Sequence, residues 1–337
     1  MLSLRLPPLL ARVLGRDRAD ESAGPDRVAA IAERMAALLA AGLAPATAWA
    51  AIESSNGDPE GPSRREGAVD GDAVLVSHAA AAAADGRSVA DAIGFAGVAR
   101  ERAAPAWAVL AAAWSVADAS GAPLARCLTM IAASLRDEAQ LRRDAAALLA
   151  GPAASARLVA ALPLIAVAFG ALLGFDTFGV LLGGPIGLAC LAIGSALLWC
   201  GARWNRALIR RAAVSLPAAG LELELFAMAL SSGASVARAE AIVREASARC
   251  LPESVRLGAA GPVVALAERA GAPVADLLRA EAARVRGAAR AEGAARAATL
   301  GVRLMLPLGC CVLPAFVLLG VAPLMISVVS GTLVGAV

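Results

Sequence analysis

The stretch SGAPLARCL at residues 120–128 recurs in this chain as AGAPVADLL at residues 270–278. Glycine readily ends a helix and proline suits the first turn of the next, so each copy predicts a sharp junction between two helices. An acidic residue stands three positions before each glycine, Asp118 in the first copy and Glu268 in the second. The ordinary roles of glycine and proline at helix ends explain either copy alone, but they do not explain why both copies have an acid at the same distance from the glycine. We therefore interpret the chain as an internal repeat.

Each copy leads through a charged, Ala- and Arg-rich stretch into a long uncharged segment that carries LPL, at residues 162–164 and 306–308. An earlier element also recurs, as MAALLAAG at residues 35–42 and AMALSSG at residues 227–233. Apolar residues follow helical spacing, and the alternation typical of strands is nearly absent. The sequence predicts an all-α membrane protein with two repeated cytoplasmic helical bundles and three transmembrane helices.

The composition narrows the class of protein. A length of 337 residues leaves room for two domains plus membrane spans, and the hydrophobic fraction of 59% exceeds the usual soluble range. A net charge of +3 and an aromatic content of 3% argue against a nucleic-acid partner. All 31 basic residues are arginine, and they crowd the ends of the apolar runs.

The residues that carry enzyme chemistry are missing or isolated. The six cysteines form no C-x-x-C pair, and the single histidine, His78, cannot complete a zinc set. The chain also lacks the G-x-x-x-x-G-K-[ST] phosphate-binding loop. We therefore expect no catalytic site, no metal site and no cofactor.

Three membrane spans are predicted, at residues 158–175, at residues 179–202 and within residues 303–337. About 18 residues just suffice to cross the hydrocarbon layer. Asp176 separates the first two spans, and a carboxylate costs about 2.5–3.5 kcal/mol at the centre of a span. Asp176 is therefore expected at a tight turn between them.

The arginines orient these spans through the positive-inside rule. Arg157 precedes the first span, Arg203 follows the second and Arg303 precedes the third. All three basic ends are therefore expected in the cytoplasm, as is the N-terminus, in a multi-pass membrane protein. The predicted organisation is an N-terminal segment (1–25), bundle 1 (26–155), a transmembrane hairpin (156–204), bundle 2 (205–302), and a third span with its tail (303–337).

This combination resembles the type II secretion system F family of inner-membrane platform proteins, which includes the Tad/Flp pilus assembly proteins TadB and TadC. The resemblance covers about residues 27–330. Its repeated pattern is an acid, two residues, a glycine, one residue and then an apolar-led helix; it corresponds here to Asp118, Gly121 and Pro123, and again to Glu268, Gly271 and Pro273. Pro163, Pro307 and Pro314 resemble the prolines of the family's spans. The chain departs from the pattern at Asp118, where glutamate is usual, at Ala270, where a small hydroxyl residue is usual, and in a long Ala-rich insert in the first half.

The resemblance implies a platform that couples a cytoplasmic hexameric ATPase to the assembly of pilin or pseudopilin subunits. It also implies a sister platform protein, or a second copy, as a partner within the bilayer. Two other functions fit three spans: a subunit of a transporter or permease, and a membrane-tethered scaffold without a motor. Asp118 and Glu268 either hold the geometry of the helix turn or contact the motor.

Overall fold

The computed structural model describes residues 16–56, 69–97, 104–172, 184–212, 219–251, 258–303, 305–323 and 325–326. These residues are almost entirely helical, and no strand occurs among them. The chain divides into two compact units. Unit 1 contains Met1–Arg143 and Leu216–Ala291, and unit 2 contains Asp144–Ser215 and Glu292–Val337.

The helices follow one another with short connections. In chain order they are α1 (Arg16–Ala40), α2 (Pro45–Asn56), α3 (Val69–Ala84), α4 (Val89–Gly97), α5 (Ala104–Ser120), α6 (Leu124–Leu172), α7 (Pro185–Ala212), α8 (Leu221–Ser231), α9 (Val236–Cys250), α10 (Ala260–Ala270) and α11 (Val274–Arg303). Helical residues 305–321 follow α11. Both α6 and α11 begin in unit 1 and end in unit 2.

The two repeated turns share one backbone geometry. Gly121 and Gly271 have φ values of 72° and 63°, in the left-handed region. The N–H of Ala122 donates to the carbonyl of Ala117 at 3.0 Å, and that of Ala272 donates to the carbonyl of Ala267 at 3.0 Å. This is the Schellman pattern, which satisfies carbonyls at the end of a helix. A methyl group on either glycine would meet no surrounding heavy atom within 4 Å, so backbone conformation, not crowding, selects glycine.

The two prolines begin the following helices in the same way. The Pro123 carbonyl accepts from the N–H of Cys127 at 3.1 Å, and the Pro273 carbonyl accepts from the N–H of Leu277 at 3.2 Å. Proline costs nothing here because the first N–H groups of a helix have no intrahelical partner. The predicted helix junctions therefore lie at both motifs.

The core of unit 1 is built from alanine and a few large side chains. Trp49, Trp107 and Trp114 are buried, and the rings of Trp49 and Trp114 lie 5.6 Å apart between centroids. Helix α5 packs against α1 and α4 of the first half and also against α8 and α9 of the second half. Helices that the sequence assigns to two bundles thus contribute to one hydrophobic core.

One buried carboxylate joins three helices within this core. Asp72 on α3 accepts a hydrogen bond from Trp107 Nε1 on α5 at 3.0 Å and one from Arg27 Nε on α1 at 2.5 Å. A buried carboxylate is tolerated when charge-assisted hydrogen bonds replace its hydration. Asp72 therefore fixes the relative register of α1, α3 and α5.

The first helix crosses residue 25, the predicted end of the N-terminal segment. Helix α1 begins at Arg16, inside the predicted segment 1–25, and continues through Pro25. Residues 1–15 lie outside the described part of the chain. The helix ends at Ala40, before Gly42 with φ 92°, as the LLAAG element predicts.

Two helices are long and apolar enough to cross a membrane. One is Pro185–Asn205, whose most apolar 18-residue window has a mean hydropathy of 1.8, and it overlaps the predicted second span. The other is Val274–Val321, whose most apolar 18-residue window has a mean hydropathy of 2.4, and it includes the start of the predicted third span. The predicted first span coincides with α6 as far as Leu172, and the remainder of it, with the Asp176 turn, falls outside the described residues.

The apolar surface is concentrated in unit 2. Among the described residues, the large apolar side chains that are exposed all belong to unit 2, with the exceptions of Val74 and Leu266. Exposed apolar area of this extent is unfavourable in water, whereas a lipid environment would stabilise it.

The C-terminal helical residues carry two wide turns. Pro307 is followed by a π-helical turn at Leu308–Val312, and Pro314 by one at Val317–Val321. Proline removes one intrahelical N–H, and a local π-helical turn is one way in which a helix adapts to that loss. Each of these two prolines therefore adjoins a widened turn.

Glycines allow close helix contact within unit 2. A Cβ atom on Gly194 of α7 would lie 2.5 Å from Cγ of Leu319, and one on Gly201 would lie 3.0 Å from Cβ of Cys311. Small residues at helix interfaces are the usual means of tight packing in membranes, because apolar lipid offers no hydrophobic drive for association.

We expect Gly121→Ala and Gly271→Ala each to lower the free energy of unfolding by about 1–2 kcal/mol, the cost of a left-handed backbone for an L-residue. Gly287→Ala is the matched control, because Gly287 lies inside α11 with open space around it and alanine favours the helix. Thermal unfolding of the detergent-solubilised chain, followed by far-ultraviolet circular dichroism, measures all three. Equal unfolding temperatures for Gly121→Ala and Gly287→Ala would contradict the backbone argument.

Candidate coupling and partner-binding site

The acidic residues of the two motifs occupy equivalent positions on their helices, and neither has an ion-pair partner among the described residues. Asp118 and Glu268 are exposed in the last turns of α5 and α10. Neither forms an ion pair with another residue of the described chain. The end of a helix carries partial negative charge, so a carboxylate there is unfavourable. The turns themselves are closed by backbone hydrogen bonds, which do not involve either carboxylate.

The residues predicted to set the membrane topology are dispersed along unit 2. Arg157 and Pro163 lie within α6, and Arg303 is the exposed last residue of α11. The Arg203 guanidinium lies 5.8 Å from the centroid of the Trp199 ring, a distance that permits a cation–π interaction. The exposed side chains of Arg203 and Trp199 both suit the boundary between the hydrocarbon layer and the lipid headgroups.

The structure also assembles a charge cluster that sequence reasoning missed. Glu224 on α8 pairs with Arg286 on α11, and Asp137 on α6 pairs with Arg290 on α11. The cluster therefore connects α6 and α11, the two helices that run from unit 1 into unit 2, with α8. We call these four residues the coupling network.

Burial dominates the electrostatics of the coupling network. The Glu224 side chain is only 9% exposed. Burial raises the pKa of Glu224 to about 6, against the opposing effect of the Arg286 charge, and the negative charge of Asp137 raises it further. One of its carboxylate oxygens, Oε2, is buried without a hydrogen-bond partner. The negative charge of ionised Glu224 is thus only partly balanced by its surroundings, and protonation of the carboxylate would remove that imbalance.

Charged side chains line two of the grooves on unit 1. One, of about 930 Å³, is lined by residues of α2, α3 and α4 that include Glu53, His78 and Asp91. The other, of about 600 Å³, lies among α8, α9 and α10 and includes Glu222, Glu240 and Glu268. Only the second groove contains a residue of the repeated motif. No group of three potential metal-ligating side chains occurs in the part of the chain that the structure describes.

The sequence LELELF at residues 221–226 contains the pattern from which the partnered acids Glu222 and Glu224 could have been predicted. Glu222 and Glu224 alternate with leucines that are buried at Leu221, Leu223 and Leu225. Acids inside such an apolar run require partners. Glu222 accepts from the backbone N–H groups of Gly258 at 2.7 Å and Ala259 at 3.0 Å, just before α10, and Glu224 pairs with Arg286.

Comparison with known proteins adds one finding. The family model of the type II secretion system (T2SS), protein F, matches residues 72–171. This segment begins at Asp72, contains Asp118 and Gly121, and ends within α6. No curated protein and no solved structure gives a match. The match supports a relation to the secretion-system F family over this segment, and together with the two long apolar helices it indicates a membrane protein.

The raised pKa of Glu224 predicts a specific pH dependence of stability. The folded protein holds this proton more tightly than the unfolded chain, whose glutamate has the ordinary value of 4.5. The stabilising contribution is therefore complete below about pH 4.5 and is lost as the pH rises through about 6, which amounts to about 2 kcal/mol. From well below pH 4.5 to well above pH 6 we expect the free energy of unfolding to fall by that amount in the wild type relative to Glu224→Gln, measured by denaturant titration in detergent. Glu268→Gln, which removes an exposed carboxylate, is the control; a Glu224→Gln profile parallel to the wild type would refute the assignment.

Proposed function

We propose that this chain is an inner-membrane platform protein of a type IV pilus-like machine of the Tad/Flp kind, or of a type II secretion machine. In that role it couples a cytoplasmic hexameric ATPase to the assembly of pilin or pseudopilin subunits. The observation that carries the proposal is the extent of the family match. It extends from α3 of unit 1 to α6 in unit 2, and so includes helices of the unit 1 core and the part of α6 that carries exposed apolar side chains.

The proposed topology places unit 1 in the cytoplasm and the helices of unit 2 across the bilayer. The Arg157, Arg203 and Arg303 positions support this orientation through the positive-inside rule. The distribution of exposed apolar side chains supports the assignment of unit 2 to lipid. In this arrangement the N-terminus is cytoplasmic, and the Asp176 turn and the C-terminus are on the outer side.

The coupling network supports the proposed transmission of movement. A motor shifts the platform between two states only if it binds those states with different affinity. Helices α6 and α11 would carry such a shift from unit 1 to the spans, because each is continuous between the two units. The Asp137–Arg290 and Glu224–Arg286 pairs hold these helices to each other and to α8.

The first test is direct association with the motor. The full chain is co-expressed with the hexameric secretion ATPase of the same organism and purified in detergent through a tag on the chain. We expect the ATPase to co-elute, and deletion of the gene to abolish pilus or pseudopilus assembly at unchanged ATPase levels. A transporter subunit or a passive scaffold predicts no co-elution and intact assembly, and that result would overturn the proposal.

The second test separates coupling from association. The Asp137 and Arg290 side chains are 44% and 42% exposed, so their pair contributes only about 0.2–1 kcal/mol and its loss leaves the fold intact. We expect Asp137→Arg to retain the ATPase but to lower filament assembly by about tenfold, because α6 and α11 then repel each other.

The charge-swapped chain, Asp137→Arg with Arg290→Asp, is the matched control for that variant. It restores an attractive pair between the same two helices and should recover assembly. Assembly by Asp137→Arg at the wild-type level, counted as filaments per cell by electron microscopy, would show that this pair carries no coupling.

A further inference from the structure

Three of the six cysteines lie on neighbouring segments of unit 2. Cys200 belongs to α7, and Cys310 and Cys311 belong to the π-helical turn Leu308–Val312. Helix α7 packs against this turn, so thiols that are far apart in the sequence come together in the fold. The side chains of Cys200 and Cys310 are exposed, whereas that of Cys311 is buried.

Gly201 brings α7 and the π-helical turn unusually close at this point. A Cβ atom on Gly201 would lie 3.0 Å from the Cβ atom of Cys311, which is shorter than an ordinary van der Waals contact. The carbonyl oxygen of Pro307 and Cγ2 of Val312 lie 3.8 Å from the same point. Cys200 directly precedes Gly201 in the chain, so it is held beside the same turn.

The thiol groups of Cys200 and Cys311 touch each other through a hydrogen bond. Two thiols in contact are joined to a disulfide by rotation of their side chains, without the backbone movement that distant cysteines need. Cys310 and Cys311 are consecutive residues of a helical turn, so their side chains point in different directions. Cys311 is therefore the better-placed partner of Cys200, although Cys310 is the more exposed of the two.

The difference in exposure gives the two thiols different roles. Hydrogen peroxide is small and uncharged, so it reaches the exposed thiol of Cys200 more readily than the buried thiol of Cys311. Cysteines that respond to oxidants are commonly accessible and lie next to a second thiol that reacts with the oxidised form. The Cys200–Cys311 pair has both of these properties.

We propose that Cys200 and Cys311 form a modification site at which hydrogen peroxide produces a disulfide between α7 and the helical residues 305–321. The Cys200 sulfur attacks one peroxide oxygen and the O–O bond breaks. The second oxygen leaves as water with the thiol proton, and Cys200 becomes a sulfenic acid. The Cys311 sulfur then attacks the Cys200 sulfur, the S–O bond breaks, and the hydroxyl group leaves as water with the Cys311 proton. Two thiols lose two electrons in total, and the peroxide is reduced to two molecules of water.

The disulfide fixes two neighbouring helical segments of unit 2 to each other. Helix α7 already packs against both π-helical turns that follow α11, and a covalent bond prevents these segments from separating. A thiol reductant reverses the modification by thiol–disulfide exchange. The inference does not depend on the proposed platform function, and it adds an effect of oxidants on unit 2.

The test maps disulfides in the full chain in detergent. The chain is treated with hydrogen peroxide, its remaining thiols are blocked with N-ethylmaleimide, and its peptides are identified by mass spectrometry. We expect the Cys200–Cys311 linkage to exceed the Cys200–Cys310 linkage about tenfold, because a disulfide forms only where both sulfurs reach bonding geometry. Cys310→Ser, the matched control, should form the linkage at the wild-type level. Cys311→Ser should lose it and accumulate sulfenic acid at Cys200, which dimedone captures.

Several results would overturn the assignment. These are equal yields of the two linkages, loss of the Cys200–Cys311 linkage in Cys310→Ser, and disulfides only between separate chains on a non-reducing gel. Absence of any linkage in a wild-type chain that keeps its helical circular dichroism would overturn it as well. If serine at the buried position disturbs folding, Cys311→Ala takes its place, because alanine leaves no unpaired hydroxyl there. The measurement does not involve the ATPase, so failure of this site leaves the platform function standing.

Discussion

The architecture depends on a backbone conformation that only glycine adopts without strain, at the junctions of Gly121 and Gly271. Each junction ends a helix inside unit 1 and starts, on a proline, a helix that continues into unit 2: 49 residues in α6 and 30 in α11. The direction of both long helices is therefore set within the core of unit 1. A movement of that core would reach unit 2 along α6 and α11, and a helix transmits displacement because its hydrogen bonds lie along its axis.

Alanine determines how the remaining helices can pack. Small side chains let backbones approach closely, as at Gly220, where an added Cβ would lie 2.9 Å from the carbonyl oxygen of Ala282. They also give little shape to specify one register over another. Buried carboxylates supply that specification here, since Asp72 must meet both Trp107 and Arg27 and Glu224 must meet Arg286. An Ala-rich unit thus gains order from a few directional interactions whose loss would leave buried groups unpaired.

Features encoded by local chemistry were predictable from the sequence. The Gly-x-Pro junctions, the helix end before Gly42 and the long apolar helix that overlaps residues 179–202 each follow from residues that are close together in the sequence. Features that depend on contacts between distant segments were not. Nothing near α9 indicates that it packs on α5, and Asp137 gives no sign of its pair with Arg290. The LELELF run at residues 221–226 is an intermediate case, because it indicates that acids lie within an apolar segment but does not identify their partners.

The two copies of the motif lie in different surroundings, so a repeated sequence does not imply a repeated role. Asp118 and Glu268 occupy the same place on a helix and the same distance from a left-handed glycine. Their carboxylates both oppose the helix dipole, so neither improves the helix that bears it. Helix α5 is closed off by helices from both halves, whereas α10 adjoins an open groove with acids at its rim. A charge that weakens the helix bearing it does not serve the stability of that helix, and of the two motif acids Glu268 lines a groove on unit 1 whereas Asp118 lines neither of the two grooves described above.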